Sequence, residues 1–271
     1  QWVERMLLSE QILGHHVVEP LHGLEIDWRY TWSRATRIEP GTKELRYDLG
    51  TEAGKWSASG RSDGNSLRYS DVRDDNHDLG FDLALPFDQW TGEEARVKVG
   101  GALMLKDRSV DTRRFYYRFY GPIAQDASLL LLPPEQIFAT ENLGVDGFLL
   151  SESTRPTDNY SAEQTTRGLY GMTDLPLGAG FRVVGGLRAE HSEQIVSTFE
   201  LFNPDQVPVE SRLVTTDYLP AGILSYEIID GMIVRAGYGR TLSRPDFGEL
   251  SPATKSDVIG YQQVHPRQHE R

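Results

Sequence analysis

Strict alternation of apolar and polar residues is the strongest pattern in the chain. Over Leu24–Trp32 every second residue is large and apolar, and the residues between them are Glu25, Asp27, Arg29 and Thr31. Successive side chains of a β-strand point to opposite faces of its sheet. The segment therefore predicts a strand with one aromatic face and one charged face.

The same period of two recurs along the chain and predicts about eight strands. Four further segments alternate cleanly: 81–87, 96–106, 181–190 and 234–238. Three segments with a less regular pattern are also predicted to be strands: 2–17, 159–175 and 216–229. One short helix is expected over Pro134–Ala139, where a proline suits the first turn. The fold class predicted is all-β, an antiparallel meander.

Short and long connections alternate between these predicted strands. Tight turns are expected at 19–23, 88–94, 176–180 and 229–231, and long polar loops at 38–75, 108–158, 198–214 and after 244. In a meander, alternate connections lie at the same end of the sheet. One end with short turns and the other with long loops is typical of an outer-membrane β-barrel, with periplasmic turns and extracellular loops.

A soluble β-sandwich that binds a partner also alternates apolar and polar residues, so it stays open as an alternative. Two details favour the barrel: apolar faces that end in Trp and Tyr, and strands of about 12–16 residues, longer than those of most soluble sheets. A mean hydropathy of -0.46 is compatible with either, because barrel strands are half polar.

Composition excludes several functions. There is no cysteine, hence no disulfide, thiolate metal site or cysteine nucleophile. The net charge of -12 argues against nucleic acid as a partner. No catalytic or phosphate-binding motif occurs, so we expect neither an enzyme nor a cofactor. The acidic run Asp74–Asp78 is the best metal candidate, but it lacks the spacing of a calcium loop and is expected to be a solvated loop. His15 and His16 would face opposite sides of a strand and could not easily chelate one ion.

Charged residues on the polar strand faces are the candidates for a ligand-facing wall. In a barrel these residues would point into the lumen, either as a structural network of paired charges or as the wall of a translocation path: Glu25, Asp27, Arg29, Arg182, Arg188, Glu190 and Arg235. A second group mixes cations and aromatic rings where a strand is expected to pass into a long loop: Arg114, Tyr116, Arg118 and Tyr120. Such a surface could contact an anionic ligand.

The second half of the chain resembles the TonB-dependent outer-membrane receptors. The segment 217–227, DYLPAGILSYE, is similar to a strand of that family, and 184–190, VGGLRAE, is similar to its GG-x-R-x-E strand. The most specific element is RTLSRPDF at 240–247 within 234–252, and weaker likeness extends back to 155. The family-motif positions are Arg188, Glu190, Arg240, Arg244, Pro245 and Phe247.

This resemblance implies a portion of a 22-stranded barrel in the outer membrane of a Gram-negative bacterium. It implies TonB-coupled uptake of a scarce small molecule: a ferric siderophore, cobalamin or a carbohydrate. The plug domain and the segment that contacts the TonB complex would lie outside this chain. We assign 1–252 to the barrel and 253–271 to an atypical or truncated tail. A self-contained eight-stranded barrel, an adhesin or structural anchor, remains the second alternative.

Overall fold

The computed structural model describes residues 2–49, 54–61, 64–155, 158–198, 209–250, 255–257 and 260–262. Most of the tail assigned to 253–271, and the motif residues Pro156 and Thr157, lie outside the described residues.

The described chain is built almost entirely of β-strands. The strands are β1 (Glu4–Val18), β2 (Leu24–Leu45), β3 (Tyr47–Leu49), β4 (Trp56–Ala58), β5 (Asn65–Asp88), β6 (Glu94–Phe119), β7 (Phe148–Glu152), β8 (Tyr160–Gly178), β9 (Phe181–Thr198), β10 (Val209–Ile229), β11 (Met232–Gly239), β12 (Lys255–Asp257) and β13 (Gly260–Gln262). The helices are α1 (Pro134–Ile137), α2 (Phe247–Leu250) and four short 3-10 turns, Glu19–Leu21, Pro122–Gln125, Leu129–Leu131 and Thr140–Asn142. No described helix has the length and apolar character needed to cross a membrane.

Within the described residues, nine strands form one antiparallel sheet. Eight of them are hydrogen-bonded in the order β1-β2-β5-β6-β8-β9-β10-β11. The ninth, the short β7, pairs with the end of β6 that extends past its pairing with β8. The predicted eight-stranded meander is therefore confirmed, with β7 as an addition. The sheet is open, because β1 and β11 are its two edges within the described residues.

The predicted alternation of connections is also confirmed where the connections are described; the long loop predicted at 198–214 lies mostly outside the described residues, and its last part belongs to β10. At one end β8 and β9 are joined by two residues, as are β10 and β11, and β1 reaches β2 through a turn. In that turn His22 and Gly23 have φ values of 60° and 74°. The left-handed conformation suits glycine, and it closes the hairpin tightly. At the other end the chain between β6 and β8 spans 120–159 and contains α1, which confirms the short helix.

The strands are longer than the sequence predicted. β5 has 24 residues and β6 has 26, or about 85 Å at 3.3 Å per residue, far more than the 9–11 residues that cross a bilayer. The hairpins therefore extend well past any lipid layer. As a result the predicted loop at Asp74–Asp78 is wrong, because these residues lie inside β5. Where a strand extends beyond the bilayer, both of its faces contact water. Its sequence then no longer alternates between apolar and polar residues, and it resembles the sequence of a polar loop.

Cross-strand register gives the sheet one polar and one apolar face. Residues Asp27, Asp82, Gly100, Tyr170 and Arg188 follow one another across five strands and share one side, which we call the polar face. Their neighbours share the other side, the apolar face, where a single row contains Trp28, Phe81, Gly101, Leu169 and Ala189. Leu169 is 72% exposed there. Large apolar side chains that no protein covers are expected to contact lipid.

The long excursion between β6 and β8 has a small core of its own. Phe148, Ile137 and Ala124 are buried there, together with Ala58, which comes from β4 in the connection between β2 and β5. Phe138 stacks on Tyr117 at 4.6 Å between ring centroids and meets Phe148 edge-on at 5.0 Å. Tyr117 comes from β6, so this loop module is packed against the extended hairpin and does not hang free.

Candidate functional site

The seven charged candidates lie on the polar face, as the register shows. Asp27 and Arg188 belong to the row described above, and Glu25 and Arg29 alternate with Asp27 on β2. Arg182 pairs with Ser225, which in turn pairs with Arg235 on β11. The shared face is a structural finding; the role of these residues toward a ligand stays a prediction.

Asp82 is the centre of a network that joins four strands. Its side chain accepts a hydrogen bond of 2.6 Å from the Tyr170 hydroxyl, and Lys98 Nζ and Arg29 Nη1 lie 3.5 and 3.6 Å from Oδ2. The residue is 8% exposed, so its charge needs these partners. Asp82 and Lys98 were not singled out from the sequence, although each occupies a polar position between apolar residues of its strand.

Glycines on the polar face let arginine side chains lie flat on the sheet. A Cβ at Gly80 would be 2.6 Å from Arg29 Cζ, and a Cβ at Gly168 would be 2.5 Å from Arg188 Nη2. A side chain at either position would push the guanidinium away from the sheet. Because the two arginine side chains lie along the polar face, they do not project into the space in front of it.

The charges at the ends of the wall are paired with neighbouring strands. Glu25 accepts from Arg96 Nη2 at 3.1 Å, and Asp27 contacts His15 Nδ1 at 2.7 Å. Arg182 donates two bonds of 2.6 Å to Asp174. Arg235, on the edge strand, is exposed. These pairs fit the structural interpretation of a charged network within the wall.

Arg244 returns to the polar face from beyond β11 and binds two acids. Its Nη1 is 2.9 Å from Glu190 Oε2, and its Nη2 is 3.5 Å from Asp217 Oδ2. Arg188 Nε donates to the other oxygen of Glu190 at 2.6 Å. The motif residues Arg188, Glu190 and Arg244 therefore meet in one cluster, although Arg244 is far in sequence from the other two.

The segment 240–250, which we call the strap, crosses the polar face after leaving the sheet. The carbonyl of Pro245 accepts a bond of 3.1 Å from Gln194, and Asp246 accepts one of 3.0 Å from Arg108. Phe247 is 2% exposed in a socket formed by Val110, Tyr160, Ala162 and Val196. Arg240 bonds to the sheet through its backbone N–H, 3.0 Å from the Pro220 carbonyl.

A recess of 470 Å³ opens on the polar face beside Arg244. Its lining combines charged side chains with hydroxyl, small and apolar residues: Arg29, Thr31, Asp78, Leu79, Ala102, Leu103, Met104, Thr166, Arg188, Glu190 and Arg244. Three arginines and two carboxylates border one space. The recess can therefore offer charge-assisted hydrogen bonds to a polar ligand.

The second candidate group lies at the long-loop end. Register places Arg114 and Tyr116 on the continuation of the polar face, opposite Arg68 and Ser66. Arg114 Nε is 2.9 Å from Asp158, whose side chain is 3% exposed, so this arginine has a structural partner. Arg118 lies over the ring of Tyr120 at 4.7 Å, and Tyr120 is 53% exposed.

A neighbouring ion pair holds β7 to β6 in this outer region. Arg113 Nη2 donates to Glu152 Oε2 at 2.9 Å. This hydrogen bonding keeps the pKa of the Glu152 carboxyl below its ordinary value. The Glu152 side chain also accepts a bond of 2.8 Å from Thr154.

The metal candidates have other partners. Asp74 binds Arg108 through both carboxylate oxygens, at 2.6 and 3.0 Å, and Asp75 binds Arg34 and Arg73. His16 accepts from Trp28, on the opposite side of β1 from the His15 contact. Within the part of the chain that the structure describes, no three His, Asp or Glu side chains are grouped to hold an ion.

A family model with the description "TonB dependent receptor-like, beta-barrel" matches residues 19–266. Among solved structures, the siderophore receptor PiuA from Acinetobacter baumannii has a TM-score of 0.50 at 10% identity, over 88% of this chain and 32% of that chain. The ferric-catecholate import receptor Fiu from E. coli K12 gives 0.48 at 14% identity, over 88% and 35%. The alcaligin outer-membrane receptor FauA from Bordetella pertussis gives 0.40 at 13%, over 88% and 32%.

The chain thus spans about a third of the length of these solved receptors. At 10% identity, the likeness to PiuA shows a shared fold alone. The comparison with curated proteins finds no match.

Proposed function

The chain belongs to the TonB-dependent receptor-like β-barrel family, and on that premise we propose that it forms part of the wall of an outer-membrane receptor. The receptor would take up a scarce small molecule with energy delivered through TonB. A ferric siderophore, cobalamin or a carbohydrate is the expected ligand class, and a ferric siderophore is the first to test. Contact with TonB would require a plug domain in another part of the receptor.

The two-faced sheet is the observation that carries this proposal. Exposed leucines and aromatic rings cover one face, where lipid would be the partner, whereas paired charges and the recess cover the other. In a closed barrel the polar face would surround the lumen. The recess and the exposed Tyr120 beside Arg118 would then lie along one route from the cell surface inward.

The alternatives fit the structure less well. A soluble sandwich would bury its apolar face, yet Leu169 and Tyr218 are 72% and 58% exposed. A self-contained eight-stranded barrel would pair β1 with β11, but in the described residues these are separate edges. We also propose that the chain catalyses no covalent reaction.

Uptake measured in living cells tests the proposal. Cells of the source bacterium with the receptor gene deleted are compared with complemented cells for accumulation of ⁵⁵Fe presented as a panel of ferric siderophores. Labelled cobalamin and oligosaccharides are tested in parallel. We expect one ligand to accumulate only when both the receptor and TonB are present. Accumulation that persists without TonB, or no dependence on the receptor for all three classes, would contradict it.

A further inference from the structure

The strap is fixed to the polar face by ion pairs of both polarities: its arginine binds acids of the sheet, and its aspartate binds an arginine of the sheet. Arg244 lies between Glu190 and Asp217, and Asp246 binds Arg108, which Asp74 already neutralises. Arg244 is only 16% exposed, as is Arg108. The Arg244–Glu190 pair, in which Glu190 is 12% exposed, is therefore less screened by salt than a pair at an open surface, whereas Asp246 is 55% exposed.

Phe247, the residue after Asp246, anchors the strap by apolar contacts. Its ring fills the socket beside Ala162 and Val196, and Lys106 and Arg108 lie over it at 5.3 and 5.4 Å. Cations at this distance from an aromatic ring attract its face. A segment held by ion pairs, a buried ring and the Gln194 hydrogen bond has little freedom to leave the wall.

The strap also borders the recess, because Arg244 is both its central anchor and part of the recess lining. We propose that the strap is a fixed crossbar that limits the size of the molecules able to reach the recess, and that Arg244 is its positioning residue. The size-limiting role rests on the proposed uptake function. Its existence is testable without any transport measurement.

Cysteine labelling tests whether the strap stays on the wall. The chain has no cysteine, so Ala162→Cys, 2% exposed beneath Phe247, introduces one reporter into the full receptor in cells. With the native strap we expect slow reaction with a membrane-impermeant maleimide. Removing both charged anchors, with Arg244→Gln and Asp246→Asn, should accelerate the reaction at least about tenfold, the equivalent of about 1.4 kcal/mol.

Arg240→Gln is the matched control, because Arg240 belongs to the same strap but bonds through its backbone. It should leave labelling slow. Arg244→Lys, which keeps the positive charge beside Glu190 and Asp217, should label more slowly than Arg244→Gln. Heat-modifiable migration of the receptor band establishes that each variant is folded. Fast labelling with the native strap, or unchanged labelling without its charged anchors, would overturn the proposal.

Size selection is read at Thr31→Cys, which replaces a partly exposed hydroxyl of the recess lining. Maleimide and a maleimide carrying a long polyethylene glycol chain are compared on the same cells. For each reagent, the labelling rate at the introduced cysteine is divided by its rate with a free thiol in solution. With the native strap, this ratio should be at least about tenfold smaller for the larger reagent than for the smaller one. Release of the strap should make the two ratios equal. Equal discrimination in both would refute the size limit. Because no ligand is used, failure here is separate from failure of the uptake proposal.

Discussion

Gly100 and Gly101 are adjacent on β6 but face opposite sides, so alanine at each probes one face of the wall. A Cβ at Gly100 would overlap the Asp82 carboxylate and lie 2.5 Å from Tyr170 Cε1. At Gly101 its nearest neighbour would be Leu169 Cδ2, at 3.2 Å. Leu169 is 72% exposed and can move away.

The expected magnitudes differ accordingly. Gly100→Ala must displace Asp82 or the Tyr170 ring, which carries an overpacking cost of about 1–3 kcal/mol. It also breaks the 2.6 Å bond between them, and a bond to a buried charge contributes about 1.5–3 kcal/mol. We expect a loss of about 2–4 kcal/mol, since one displacement causes both effects. Both variants share the gain of about 0.5–1 kcal/mol from replacing a strand glycine, so Gly101→Ala should be neutral or slightly stabilising.

The assay is urea unfolding of the full receptor in lipid vesicles, followed by loss of the folded, heat-modifiable band. Gly100→Ala should unfold at clearly lower urea than the parent, whereas Gly101→Ala should match it. Equal midpoints for the two variants, or a lower midpoint for Gly101→Ala, would refute the assignment of the crowded, charged side to the polar face.

Two further predictions concern the loop module at the outer end. Phe148→Ala should destabilise that module by about 3–5 kcal/mol, because the fully buried ring fills its core, and should speed proteolysis within 120–159 while leaving the sheet folded; Leu150→Ala, which is 54% exposed on the same strand, is the control and should change nothing. Acidification should loosen β7. The pKa of Glu152 is lower in the folded than in the unfolded state, so its contribution to stability is present above the ordinary value of 4.5 and is lost as pH falls through the folded pKa. The protection factors of β7 amides, which compare each exchange rate with the intrinsic rate at the same pH, should therefore fall with acid in the parent and lose this dependence in Glu152→Gln.

Much of the fold was predictable because alternation is a local signal. The cleanest segment, Leu24–Trp32, became the start of β2 with its charged residues on one face, and the glycine-containing turns appear where they were expected. β1 was a less regular prediction for a physical reason: Leu7 and Leu13 lie on its polar side while Met6 and Ile12 lie on its apolar side, so it is apolar on both.

The candidate site was predictable only in part. Register on a face follows from a period of two, which is why Arg188 and Glu190 could be assigned to the polar side. The docking of Phe247 against Val110 and Ala162, and the Arg108–Asp246 pair, join residues distant in sequence. No local pattern encodes such contacts, although the strap lay within the most specific motif. The position of Gly80 beneath Arg29 could not be predicted either, because it depends on which residue of β5 pairs with Arg29 of β2.

The most direct test of the central claim is spin-label accessibility along β8 of the full receptor in membranes. Single cysteines are placed at positions 168–172, and collision with oxygen, which partitions into lipid, is compared with collision with a water-soluble nickel chelate. The account predicts a period of two, with positions 169 and 171 accessible to oxygen and positions 168, 170 and 172 shielded from it. Uniform access to the nickel chelate, or oxygen access at the even positions, would show that this wall does not separate lipid from a polar lumen.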